Sequence, residues 1–476
     1  MTRRTIVRTG VRIAVGVVAL AIGGGVVAAA TVVPLPTLSQ TPAGRVVTPV
    51  ALDQQRACSG SLLRLAGDAS ASATSVTAQG AASTATAASG KATPTSTPLA
   101  GSDGAASKPE VVTAAAAGGV VPLVSGAQLQ NVSAPDLSGI AASPCAEPTS
   151  STWLVGGSTE TGRTTLIDLV NPTDVNSTVD IALWGETGTV QGPGLTGIVV
   201  APKSQKVIPL AGFATGLVSP VLHVTSRGGQ ITASLQESIV RTLQPGGVDV
   251  VSAAAAPSTT QSIPGIVVRD SDQVQTQLGE SGYGDLKSIL RAFNPGTTAA
   301  DLSIQVSTPD GTGATFSVSA AAGQVTDVPL DGLPDGVYTA TVQSTEPVVT
   351  GARSSSDPTS GTSDLAWVGS APALDGATLF TVAPLDTAGD ATATLTLANA
   401  TDRPITAKIA SPGVPASSVT VAANSSVSQS LVSGRSATLT GADGLRGAIA
   451  YSGSDGIAAY ALVSPSSVST PVTVYP

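Results

Sequence analysis

Apolar and polar positions alternate strictly in several stretches of the second half of the chain. Val179, Ile181 and Leu183 lie two apart, and Leu302, Ile304 and Val306 repeat this with Ser303 and Gln305 between them. Ile405 and Ile409 repeat it more weakly around Lys408. A period of two is that of a strand with one buried face. Each run follows a strand that ends in an Asn-led turn: residues 166–170 into Asn171-Pro172, residues 289–293 into Asn294-Pro295, and residues 395–398 into Asn399-Ala400. Asn bonds its own backbone and Pro fixes φ, so Asn-Pro initiates a turn. The third copy carries Ala400 in place of Pro. Further on, each copy has a short strand after a small-residue turn (residues 207–210, 326–330 and 428–431), and two more strands follow. The pattern predicts three copies of one unit of about 110 residues, each with about seven short strands, which is the size of a β-sandwich.

The N-terminus breaks this pattern. Arg3, Arg4, Arg8 and Arg12 precede an uncharged run from Ile13 to Val33. Such a run is long enough to cross a bilayer as a helix, and its basic flank places Met1 in the cytoplasm. Residues 1–33 are therefore expected to be a signal peptide or a single-pass anchor in the cytoplasmic membrane, with the rest of the chain exported. Ala28-Ala29-Ala30 offers a cleavage site near Ala30 if the chain is released. Thr2-Arg3-Arg4 is read as a basic flank rather than a twin-arginine signal.

Composition narrows the picture. The 476 residues are 11% charged and 3% aromatic, and they include 52 Gly and 33 Pro. A helical protein is excluded, and the surface is expected to be built from Ser, Thr, Gly, Asn and Gln. The net charge of −9 leaves no basic footprint for nucleic acid beyond the first residues. A single core stops growing near about 250–300 residues, so several domains are expected. The fold class read from the sequence is all-β: three tandem immunoglobulin-like sandwiches at 110–245, 246–360 and 361–476. These follow residues 34–65, an extracellular segment with an N-terminal strand, and residues 66–109, an Ala/Ser/Thr/Pro-rich insert. That insert is expected to be disordered and removable, because its side chains bury too little to offset the ordering entropy. Cys58 and Cys145 bracket it, and as the two cysteines of an exported chain they are expected to form one disulfide.

Candidate chemistry is sparse. His223 is the single histidine, and it alternates with Leu222 and Val224 on a strand. It is read as a surface hydrogen-bonding residue, and no Gly-x-Ser-x-Gly elbow is present for it to serve. Asp270-Ser271-Asp272 and Asp310-Gly311 lack calcium-loop spacing and are read as a loop and a hairpin turn. Glu160, Glu186 and Glu237 are candidate acids for glycoside hydrolysis, but few aromatics are available to line a sugar cleft. Trp153, Trp184 and Trp367 are read as packing residues. No catalytic, cofactor-binding or metal-ligating residue is assigned, and the chain is not expected to be an enzyme.

Several short motifs are shared with a known family: Trp153-Leu154-Val155-Gly156-Gly157, the Leu-Val-Asn-Pro turn at 169–172, Gly247-Val248-Asp249-Val250 and Ile263-Pro264-Gly265. With the basic-flanked apolar segment and the cysteine pair, they resemble an actinobacterial family known as domain of unknown function 5719. The resemblance implies a secreted or membrane-anchored surface protein and assigns no activity. The expected function is a non-catalytic cell-envelope platform that binds another envelope protein. The alternative is a carbohydrate-binding or envelope-polysaccharide accessory role.

Overall fold

The computed structural model describes residues 11, 14–25, 45–47, 53–65, 75–101, 107–117, 121–311, 313–466 and 472–474. The alternating runs form strands, and the chain is all-β apart from short helical pieces. In the first copy the strands are Ser151–Val155, Arg163–Asn171, Ser177–Gly185, Ile198–Val200, Ser204–Pro209, Val221–Gly228, Thr232–Arg241 and Gln244–Val251. One sheet has the order first–sixth–third–fourth, with a further short strand, Gly188–Val190, also pairing on the third, and the other has the order fifth–second–seventh–eighth. The third copy repeats both orders with Thr378–Thr381, Thr392–Asn399, Ile405–Ala410, Ser417–Val421, Ser425–Leu431, Ser436–Thr440, Arg446–Gly453 and Gly456–Ala461. The second copy does so with Ser258–Val268, Ile289–Phe293, Ala300–Ser307, Gly313–Ala320, Val325–Pro329 and Asp364–Gly369. Its long strand Gly336–Ser356 supplies both the sixth and the seventh positions.

The pairing is not immunoglobulin-like. In that topology the first two strands of one sheet pair with each other. Here the second strand pairs with the fifth and seventh. Alternation specifies which face of a strand is buried and is silent about its neighbours, so the strand order comes from the observed register alone.

The Asn-led turns are built alike. Asn171, Asn294 and Asn399 are buried, and each Nδ2 donates to the carbonyl four residues ahead: Val175 at 2.8 Å, Thr298 at 2.8 Å and Arg403 at 2.7 Å. Each also donates across to the end of the fourth strand, at Val200, Ala320 and Val421. Each Oδ1 accepts the N–H two residues on. Ala400 leaves this network intact, so the turn depends on the amide and not on Pro.

The insert expected to be disordered is folded over 75–101. Gln54–Cys58, Glu110–Ala114 and Thr95–Pro98 form one sheet, and Ser83–Ala88, Val124–Ala134 and Leu137–Pro144 form another. These are the first–sixth–third and second–seventh–eighth pairings again, so a reduced fourth copy precedes the other three. A separate pair, Leu62–Leu65 with Val76–Gln79, lies beside it in sequence. The Ser, Thr and Ala side chains at 83–88 and 95–97 bury little by themselves. Their strands are held by backbone bonding to Val111, Val112 and residues 124–129, which supply the apolar surface. Residues 66–74 and 102–106 lie outside the described residues.

Residues 50–468 cluster as one compact unit, not as a string of separate modules at the expected boundaries. The eighth strands of the four copies, 137–144, 244–251, 364–369 and 456–461, touch in cyclic order around a common centre. Core packing follows the same cycle. Leu365 and Trp367 of the second copy belong to the core of the first, and Ala448, Ala450, Ile457 and Ala459 of the third to that of the second. Ala127, Leu129, Ile140 and Ala142 of the reduced copy belong to the core of the third. Val248 and Val250 of the first pack on Leu62, Val132, Leu137 and Ala141. An alternating strand of one copy thus buries its second face in the next copy.

In the other unit, Arg45–Val47 pairs antiparallel with Val472–Val474. Residues 14–25 are helical, and the remainder of the expected apolar span lies outside the described residues. No helix among the described residues is long and apolar enough to cross a membrane.

Candidate functional site

The centre of the ring is closed by one side chain. Gly139, Gly247 and Gly456 lie in the first half of three of the eighth strands with φ of 134°, 124° and 147°, a region that disfavours side chains. At the matching place the second copy carries Asp364, which is fully buried. Its Oδ2 accepts the N–H groups of Ile140 and Ile457, both at 3.0 Å, and its Oδ1 accepts that of Val248 at 3.2 Å. A Cβ added at Gly139 or Gly456 would collide with this carboxyl group. Burial pushes Asp364 up to about 8, against the pull of those N–H donors. The Gly247-Val248-Asp249-Val250 motif is therefore part of the hub.

Beyond the hub lies a buried polar cluster around Trp367. Its Nε1 donates to Glu237 Oε2 at 2.5 Å and its backbone N–H to Asp249 Oδ2 at 2.6 Å. Burial holds Asp249 well above the usual carboxylate range. The guanidinium carbons of Arg291 and Arg353 lie 4.8 Å and 5.8 Å from the indole centre. Arg291 is saturated: it pairs with both oxygens of Asp327 and donates to the carbonyls of Gly157, Pro220 and Val218. It thereby fastens the second copy to the first. Burial raises Asp327, but Arg291 beside it leaves that carboxyl below its ordinary value.

Arg353 is placed differently. It donates from Nη2 to the carbonyls of Asp285 and Lys287, and its Nε is buried without a partner. Burial, with Arg163 adding to it, pushes Arg353 down to about 10. Both arginines face a cavity of about 1350 Å³ between the first and second copies, which Arg163, Arg241 and Lys287 also line. Arg241 is bound by Asp285 through Nε and Nη2 and by Ser363 Oγ through Nη1.

A second cavity, of about 490 Å³, opens where the eighth strands end, near Cys145, Ala253 and Leu462. Trp153, Phe380 and Tyr460 line it, with Ser and Thr between them, and the Arg56–Glu147 ion pair (3.0 Å) stands beside it.

The residues singled out by sequence do not assemble into one site. His223 is half-buried, stacked on Trp153 at 4.1 Å and hydrogen-bonded to Ser151 Oγ at 2.8 Å, and burial lowers its pKa. Glu160 lines the larger cavity, Glu186 accepts from the Ser219 N–H, and Glu237 is buried on Trp367. Asp270 precedes the helix Ser271–Leu278, where Asp335 accepts the N–H groups of Asp270 and Ser271. Asp310 accepts from Thr308 Oγ1 within its turn. Trp153 and Trp184 stack on each other and meet Phe293 of the second copy at a tilt. Cys58 and Cys145 are joined by a disulfide that ties the first strand of the reduced copy to the residue after its eighth. Sequence reasoning missed Asp364, Asp249, Arg291 and Arg353. Arg291 carried a signal, because a charge inside the apolar run 289–293 needs a buried partner.

The model of a family described as Family of unknown function (DUF5719) matches residues 100–431. A search among curated proteins returns no match.

Proposed function

The chain belongs to the DUF5719 family, and from that premise we propose that it acts as a non-catalytic, exported platform of the cell envelope that presents a binding surface to another envelope component. The observation that carries this reading is the ring itself: four sandwich-like copies share cores and meet on one buried carboxyl group. Such construction favours a stiff body that displays fixed surfaces, because shared cores transmit strain and do not bend freely. The Cys58–Cys145 disulfide supports an oxidising compartment. Residues 1–33 would tether the platform to the cytoplasmic membrane or direct its export, and an envelope protein is the partner proposed. An envelope polysaccharide is the second reading, favoured by the Trp153, Phe380 and Tyr460 rings in the smaller cavity.

Crosslinking on intact cells, followed by mass mapping of the captured chain, tests the proposal. Protease protection of residues beyond 34 in whole cells, or capture of polysaccharide without any protein, would overturn the export or the protein-partner reading respectively.

A further inference from the structure

The cavity between the first and second copies has an excess of cations that the chain does not neutralise. Five cationic side chains line it (Arg163, Arg241, Lys287, Arg291 and Arg353) against three carboxylates, Glu160, Asp285 and Asp327. This occurs in a chain whose net charge is −9. Two of the acids are consumed, Asp327 by Arg291 and Asp285 by Arg241. Glu160 approaches Arg163 only to 3.8 Å. The Lys287 amine has no ion-pair partner among the described residues, and Arg353 makes no ion pair within 4.0 Å while its Nε lacks any partner. A buried cation without an ion pair of its own is costly, and Arg163 and Arg291 repel Arg353 while Glu237 and Asp285 only partly offset them. A ligand that carries negative charge relieves both the burial and the repulsion at Arg353.

We propose that this cavity is a binding site for an oxyanion-bearing ligand, whose phosphate or carboxylate group is held by Arg353, Arg163 and Lys287. A guanidinium fork matches either group with two parallel N–H donors, and lysine adds a point charge. The opening is larger than a single ion needs: ordinary small-molecule sites span about 300–1,000 Å³. An acidic sugar or a phosphorylated polyol therefore fits the volume, with Tyr283 on the wall to stack against it. The site stands on its own geometry, whether or not the ring engages a partner protein.

Calorimetric titration of the full-length protein at low salt tests this, with inorganic phosphate, glucuronate and uncharged glucose as probes. Phosphate or glucuronate is expected to bind saturably and more weakly as salt rises, while glucose gives no saturable signal. Arg163→Gln and Lys287→Gln, both at partly exposed positions, should each weaken binding about tenfold with an unchanged unfolding midpoint, the loss of one charge-assisted hydrogen bond. Binding of phosphate alone points to a phosphoryl ligand, and binding of glucuronate alone to an acidic sugar; either supports the site. The inference is overturned if neither anion binds the native protein, or if both variants bind as the native protein does.

Discussion

Asp364 is a single residue on which four copies depend. Replacing it by Ala leaves the N–H groups of Ile140, Val248 and Ile457 buried without an acceptor. Asp364→Ala should therefore destabilise the protein by about 3 kcal/mol or more, measured by urea unfolding. Its titration has a definite sign. The ordinary value is 3.8 and the folded value about 8, so folding raises its proton affinity. The stability this group contributes is then complete below pH 3.8 and is lost as pH rises through 8. Asp168, pushed up to about 7 by burial, acts in the same direction. The unfolding midpoint should fall between mildly acidic and mildly alkaline pH, and Asp364→Asn should flatten that slope. An equal slope in the variant would remove Asp364 as its source. Neither residue was legible as a site, because a lone Asp before Leu365 looks like any strand-edge acid. Its meaning comes from three glycines on strands far away in sequence.

At the scale of elements, the reduced copy shows how far the pattern could be read. Strands of the three full copies were visible because large apolar side chains mark every second position. The reduced copy has Thr and Ala at those places, and Ser89 follows its second strand where the others carry Asn. It lacks both markers, so it read as unstructured. Its backbone pairing to apolar strands supplied the order that its own side chains do not. Deleting residues 75–98 while keeping both cysteines should accordingly lower the unfolding midpoint, although composition alone suggested a neutral deletion. An unchanged midpoint would mean that these strands add nothing. The disulfide closes a sequence separation of 87 and was correctly legible from the paired cysteines. Replacing both by Ala should cost about 4 kcal/mol in the chain-entropy account, measured against the native protein under non-reducing conditions.

At the scale of the molecule, sequence periodicity and molecular architecture part company. A repeat of about 110 residues suggests modules that fold independently, as sandwiches of that size do. The core residues give a different answer. Leu365 and Trp367 fill the first copy, Ala448 and Ile457 the second, and Leu129 and Ile140 the third. A copy cut from the ring would therefore expose one apolar sheet face and keep a hole in its own core. Removing buried groups of this size costs about 2–5 kcal/mol for each large side chain, comparable with the whole stability of a domain. Isolated residues 371–466 should for that reason fail to give a cooperative unfolding transition. The described unit within 50–468 should unfold in one step with equal calorimetric and van't Hoff enthalpies. Three resolved transitions in the intact, disulfide-bonded protein would restore the tandem-module picture. They would also weaken the claim that the ring is stiff, since independently melting copies do not share their cores.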